Sequence, residues 1–264
     1  MLGKLLKYDL KWSLKLICLF LGIGLFLAIL GRVLELCPDS MFFTILIGII
    51  KGASLSLTIT GVFNAVIRSW VRFILNCYKD ESYLTNTIPV KRSTILLAKS
   101  LNALIVITLS IVMLFINLVI MYYSQETLDA IKESLNIFSN AMDISVVGLI
   151  ISMVVVILLE VLFLTQAGFF GIVFGYSYNK NKLALSLVFG IVSYVICSTL
   201  SVVALICMSL FDEGLRGIIL GGTGVIDFTL LKVLIVFAII IYFVYIVVLY
   251  FITNKKYTKG INID

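Results

Sequence analysis

The stretch Ile144-Ser-Val-Val-Gly-Leu-Ile-Ile-Ser-Met-Val-Val-Val-Ile-Leu-Leu-Glu160-Val-Leu-Phe-Leu-Thr-Gln-Ala-Gly-Phe-Phe-Gly-Ile-Val-Phe-Gly175 contains a single charged residue, Glu160. A hydrocarbon core is crossed by ~20 apolar residues in a helix, so this run is more than long enough to span one. Five further runs behave alike. The six predicted spans cover about 14–34, 41–67, 101–123, 144–175, 183–211 and 230–253. The fold class that follows is all-α, a polytopic membrane protein with one transmembrane domain over residues 1–264. The longest stretch between spans, Arg68 to Ser100, is shorter than the roughly 40 residues that small unaided domains need, so no soluble domain is expected within it.

Composition agrees and excludes much chemistry. The chain is 62% hydrophobic and 13% charged, against about 45–50% and about 25% in soluble domains. It has no His, which removes Ser-His-Asp and Cys-His centres, HExxH zinc sites and His-ligated haem. Its only Gly-Lys dipeptide is Gly3-Lys4, so a phosphate-binding loop of the Gly-x-x-x-x-Gly-Lys-Ser/Thr kind is absent. No catalytic, metal-binding or cofactor-binding residue is predicted; if nucleotide drives this protein, another chain binds it.

Basic residues set the expected orientation, because cytoplasmic loops collect Lys and Arg. With the N-terminus inside, fifteen of the 20 basic residues fall on the inner side and three, Arg32, Lys132 and Arg216, on the outer. Both termini are therefore expected in the cytoplasm, in a plasma membrane. The net charge of +6 reads as an orientation signal, with no nucleic-acid partner. Cys18, Cys197 and Cys207 lie in spans, Cys77 on the inner side and Cys37 on the outer, so no disulfide framework is expected. No small-x-small cleavage site precedes Arg32, which argues against a cleaved signal peptide.

Around the first span, Lys4, Lys7, Lys11 and Lys15 share one helical arc opposite Leu2, Leu5, Leu6, Trp12 and Leu16. This pattern predicts an amphipathic helix lying in the inner interface, lysines toward anionic lipid. A long, lysine-flanked first span is the alternative. The largest inner loop follows the second span, and Trp70, Phe73, Ile74 and Cys77 at helical spacing extend that span beyond the membrane. Asp80, Glu81 and Ser82 suit the first turn of a new helix. Pro89 ends it, since the residue before proline is pushed out of the helical region, and Ser93 can cap the next helix. The outcome is a short crosswise helix, Glu81 to Thr87, comprising Glu81, Ser82, Tyr83, Leu84, Thr85, Asn86 and Thr87. It offers Tyr83 and Leu84 to the surface, as a docking element would.

The order Arg-x-Phe…Asp-Glu-x-Tyr-Leu-Thr-x-Thr-Ile-Pro-Val-x-x-Ser…Lys between Arg72 and Lys99 resembles the cytoplasmic loop of permease subunits of type-2 ATP-binding-cassette (ABC) exporters. In those, an acidic residue precedes a coupling helix, and Pro and Lys follow it. Six spans, a basic N-terminal helix and a Gly-rich outer connection before the last span are similar too. So is Gly175-Tyr-Ser-Tyr-Asn-Lys-Asn-Lys182 as a second, shorter inner loop. The resemblance implies that residues Asp80 to Thr87 and Pro89 couple to a separate cytoplasmic ATPase, which would hold the ATP and Mg that this chain does not. It also implies that a second permease completes the path, as homodimer or heterodimer. The implied cargo is hydrophobic or amphipathic, a small or antimicrobial peptide for example.

Ionisable groups inside spans are costly, by ~2.5–3.5 kcal/mol at mid-helix for Asp, Lys or Arg. Glu160 and Lys51 are the candidates for an intramembrane polar site. Glu160 either lines a cavity or meets a cationic substrate, or bonds to nearby Ser, Thr or Asn as a neutral acid. On the first reading, a stand-alone ion-coupled transporter or channel with Glu160 as protonatable site is the alternative function. Phe211 to Thr229, with five glycines, suggests short re-entrant helices packed on protein. The acidic stretch Ser124 to Met142 reads as a solvated outer cap, and Gly22, Gly24, Gly48, Gly52, Gly168 and Gly171 as close-packing positions.

Overall fold

A computed structural model describes residues 2–38, 40–79, 81–211, 215–217 and 228–260, without the side chains of Asn86, Phe228 and Thr229. The described residues contain helices and no strand: α1 (Leu2–Leu34), α2 (Met41–Cys77), α3 (Ser82–Thr87), α4 (Arg92–Tyr122), α5 (Gln125–Met142), α6 (Val146–Gly175), α7 (Lys182–Ser209) and α8 (Phe228–Lys259). Six of them, all but α3 and α5, are long and apolar enough to cross a membrane. Local signals fix several ends. The Ser40 and Ser145 hydroxyls accept from the amides of Phe43 (3.3 Å) and Gly148 (3.1 Å), starting α2 and α6. Ile88, before Pro89, is extended and stops α3. Ser93 lies inside α4, whose N-cap is Lys91 with no side-chain cap; the expected serine cap is not formed.

The chain divides into two compact units, with the boundary inside α5 between Leu128 and Asp129. In the first unit, α1, α2 and α4 pack on one another. The buried face of α1 is Asp9, Ser13, Ile17, Leu21, Gly24, Ala28 and Gly31, a spacing of four and three that keeps one stripe turned inward. The stripe runs without interruption from the amphipathic stretch into the apolar run. The N-terminal segment is helical as anticipated, with Lys4, Lys7, Lys11 and Lys15 exposed. It is nevertheless the first part of the same helix and not a separate crosswise element, because Asp9 and Ser13 pack against α2 and α4 as the rest of the stripe does.

In the second unit α6 packs on both α7 and α8. Phe163, Ala167 and Leu249 form a buried core, and the Tyr194, Tyr242 and Tyr245 rings surround Phe163 with centroids 5.2, 5.8 and 5.5 Å away. Gly171 and Gly175 lie directly against the α7 backbone at Ser186 and Gly190, and Gly24 sits under Thr58 and Asn117. Gly22, Gly48 and Gly52 are different: nothing lies within 4 Å of where their Cβ would be. The close-packing expectation fails for these three because their exposed faces lie outside the α1, α2 and α4 packing of the first unit.

Candidate functional site

The short helix α3 has two faces. Ser82 and Thr85 are buried, whereas Tyr83 and Leu84 are 72% and 71% exposed. The expected site residues thus fall into an anchoring and a presenting set on one and a half turns. Asp80 and the Asn86 side chain lie outside the described residues. The chain reaches α3 through a tight turn in which the Glu81 amide donates to Leu75 O (3.1 Å) and the Ser82 amide to Lys79 O (2.7 Å). Thr85 donates its hydroxyl to Glu81 O at 3.0 Å, and Thr87 to Leu84 O at 2.9 Å.

Glu81 occupies the N-cap position, but its carboxylate does not cap the helix. It turns back to α2, where Arg72 Nη1 donates to both of its oxygens at 3.0 and 3.1 Å and Asn76 Nδ2 donates to Oε2. A guanidinium satisfies a carboxylate better than two amides at a one-and-a-half-turn helix can, because the bond is charge-assisted. The same Arg72 donates Nε to Asp9 Oδ1 on α1 at 3.0 Å. Lys99, on α4, donates Nζ to both Asp9 oxygens at 2.7 and 2.8 Å and to Asn76 Oδ1 at 2.5 Å. Two acids, two bases and an amide therefore form one closed network joining α1, α2 and α4 to the first residue before α3. Its inner member Asp9 has a side chain 5% exposed, and its outer member Glu81 one 44% exposed. Such a cluster is tolerated because the charges balance and each is hydrogen-bonded; removing one partner leaves an uncompensated buried charge, worth about 3–5 kcal/mol.

Trp12 closes the network toward the apolar region. Its ring lies 4.1 Å from the Arg68 guanidinium and 5.2 Å from that of Arg72, and Arg68 Nη2 donates to its carbonyl at 3.2 Å. The sequence marks Arg72 and Lys99 as inner-side basic residues and as the two ends of the exporter-like pattern, but singles out neither Asp9 nor Asn76. One signal could have found Asp9. It is the only acid in the lysine-rich segment, and at 100° per residue it falls opposite the lysine arc, on the side that must meet other helices.

The other candidates lie elsewhere. Lys51 is paired: its Nζ is 2.5 Å from Glu35 Oε1 and 5.4 Å from the Tyr122 ring centre. Arg32 adds a second ion pair to Glu35 at 2.6 Å and donates to Tyr123 O. Partial burial alone would raise the Glu35 pKa; hydrogen bonds and charge from Lys51 and Arg32 outweigh it, so the carboxyl is held below the usual glutamate value. This cluster ties the end of α1 to α2 and α4 at the opposite end of the first unit from α3. Glu160 belongs to the second unit. It is exposed, forms no hydrogen bond or ion pair with the described residues, and lies within electrostatic reach of Tyr242. Among the described residues, no Ser, Thr or Asn side chain bonds to it. The loop 175–182 borders an open concavity of about 560 Å³ lined by Ser177, Tyr178, Asn179, Lys180, Asn181 and Leu185. Most of the Gly-rich segment 211–229, with its expected re-entrant helices, lies outside the described residues.

Among the described residues no three Cys, Asp or Glu side chains converge as a metal site would require. No protein-family model matches the chain, and no curated protein or solved structure matches it either.

Proposed function

We propose that this chain is the membrane-spanning permease subunit of an ATP-driven ABC exporter, with α3 as the helix that docks into a separate cytoplasmic ATPase. The observation that carries the reading is the construction of α3: two large apolar side chains, Tyr83 and Leu84, presented outward on a helix whose other face is buried and whose N-terminal end is tied by Glu81 to Arg72 and Asn76. Exposed apolar side chains on a firmly anchored element suit force transfer through a protein contact. The residue pattern from Arg72 to Lys99 supports the ABC class. On this reading both termini lie in the cytoplasm, as the distribution of Lys and Arg favours. A second permease, identical or related, completes the path, and the cargo is a hydrophobic or amphipathic molecule such as a small or antimicrobial peptide. The chain itself performs no catalysis; ATP and Mg are held by the partner.

The test is the double variant Tyr83→Ala with Leu84→Ala. It should reach the membrane at normal yield, lose co-purification of an ATPase subunit and lose export. Normal recruitment together with normal export refutes the reading. A second reading, an ion-coupled transporter working alone, is favoured by one observation, the exposed carboxylate of Glu160 in the middle of a span, which forms no hydrogen bond or ion pair with the described residues. Cargo transport by the purified chain in vesicles under an ion gradient and without ATP would establish it.

A further inference from the structure

We propose that Asp9, near the start of the chain, is the positioning residue of α3, so that the end of α1 is a third support of the docking helix beside α2 and α4. Asp9 does not touch Glu81. Yet both groups that hold Glu81 lead back to Asp9, Arg72 directly and Asn76 through Lys99. Arg72, which grips the Glu81 carboxylate through Nη1, has its Nε on Asp9 Oδ1. Asn76, which donates to Glu81, has its amide oxygen on Lys99, and the Lys99 ammonium bonds to both oxygens of Asp9. Two routes thus run from Asp9 to Glu81, the N-cap residue of α3, one through Arg72 and one through Lys99 and Asn76.

The geometry of a guanidinium explains why the first route positions rather than merely neutralises. Arg72 is planar and its donors are fixed relative to one another, so engaging Nε on Asp9 sets the direction in which Nη1 points. With Asp9 in place the fork faces Glu81. The second route fixes which way the Asn76 amide faces, since only one orientation puts its oxygen on Lys99 and its nitrogen on Glu81. The burial gradient from Asp9 to Glu81 makes Asp9 the fixed point and Glu81 the movable one. The lysines on the outer face of the same helix, Lys4, Lys7, Lys11 and Lys15, take no part in the network.

The role of α3 as a docking helix is the reading proposed above; its attachment to α1 is measurable on the purified full chain without any ATPase. Two arms test it. The compensated variant Asp9→Leu with Lys99→Leu removes one charge of each sign and fills the space with apolar atoms, a replacement that often leaves folding stability unchanged. Its unfolding midpoint should stay at the wild-type value, while trypsin cleavage at Lys79 and Lys91, which flank α3, accelerates about five- to thirtyfold toward the rate of Glu81→Gln. Cleavage at the wild-type rate in the folded double variant, with Glu81→Gln fast, overturns the proposal. The second arm uses Glu81→Gln alone, whose changed side chain is the exposed one. Coupling is reciprocal, so amide hydrogen exchange over residues 5–13 of α1 should quicken; unchanged exchange there overturns the proposal even where the double variant does not fold. Faster cleavage around α3 in the first arm and faster exchange in α1 in the second, in a chain that binds no ATPase, would support the role of Asp9 and refute the exporter reading.

Discussion

Replacing Gly171 by Ala tests how closely α6 and α7 meet. A Cβ at this position would run into Ser186 O and stand 2.5 Å from Gly190 N and 2.7 Å from Gly190 Cα. Carbon atoms in contact sit about 3.5–4.0 Å apart, so the helices must part by about 1 Å. All three obstacles are backbone, and no side chain can rotate away to make room. Overpacking of this kind costs about 1–3 kcal/mol, and the obstruction by backbone places Gly171 at the upper end. Alanine recovers about 1 kcal/mol of helix propensity, leaving a net loss of about 2 kcal/mol. Gly48 is the internal control. With nothing within 4 Å of its Cβ position, Gly48→Ala should keep the whole propensity gain. Thermal unfolding of the two purified variants in one detergent should therefore move in opposite directions, down by several degrees for Gly171→Ala and up slightly for Gly48→Ala. A Gly171→Ala protein at least as stable as the wild type would refute the close crossing of α6 and α7.

Asn117→Ala should destabilise the first unit by about 0.6–2 kcal/mol, because Asn117 accepts from Ser54 at 3.1 Å and donates to Thr58 in the buried contact with Gly24; equilibrium unfolding in mixed micelles measures it. The Glu35 cluster should make stability depend on acid. Its carboxyl ionises more readily folded than unfolded, so its contribution is present above the ordinary glutamate range and fades as pH falls below about 4.3; Lys51→Met should flatten that part of the pH profile. Glu160→Gln should fold at wild-type yield, since Glu160 is exposed and forms no hydrogen bond or ion pair with the described residues, and a sharp loss of folded protein would contradict that position. Lys99→Met should cost about 3–5 kcal/mol by leaving Asp9 under-compensated, and Asp9→Leu added to it should restore most of the loss.

Local physics explains what was legible early. Each span is marked by its own run of apolar residues, because transfer from water is set residue by residue and needs no knowledge of neighbours. The end of α3 was equally local: Pro89 forbids Ile88 the helical conformation wherever the loop lies. Tyr83 and Leu84 were legible as outward-facing because a helix of six residues has only one face to bury. The partner of Glu81, expected only to suit the first turn of α3, was not legible, because it lies outside that helix. The Glu81 carboxylate found a guanidinium contributed by α2, and that bond outcompetes its own helix end.

The sequence by itself determined that the chain is helical, how many helices can cross a membrane and where the short helix between the second and third spans stops. Only the tertiary structure decided that Asp9 meets Arg72 and Lys99, from which it is separated by 63 and 90 residues. It alone decided that Gly24 is enclosed while Gly22 faces open space, and that the spans group into two units. Apolar content says that a face will leave water, whereas pairing depends on which two faces meet. That choice depends on the shapes and charges of helices far apart in the chain, which no single stretch of sequence contains.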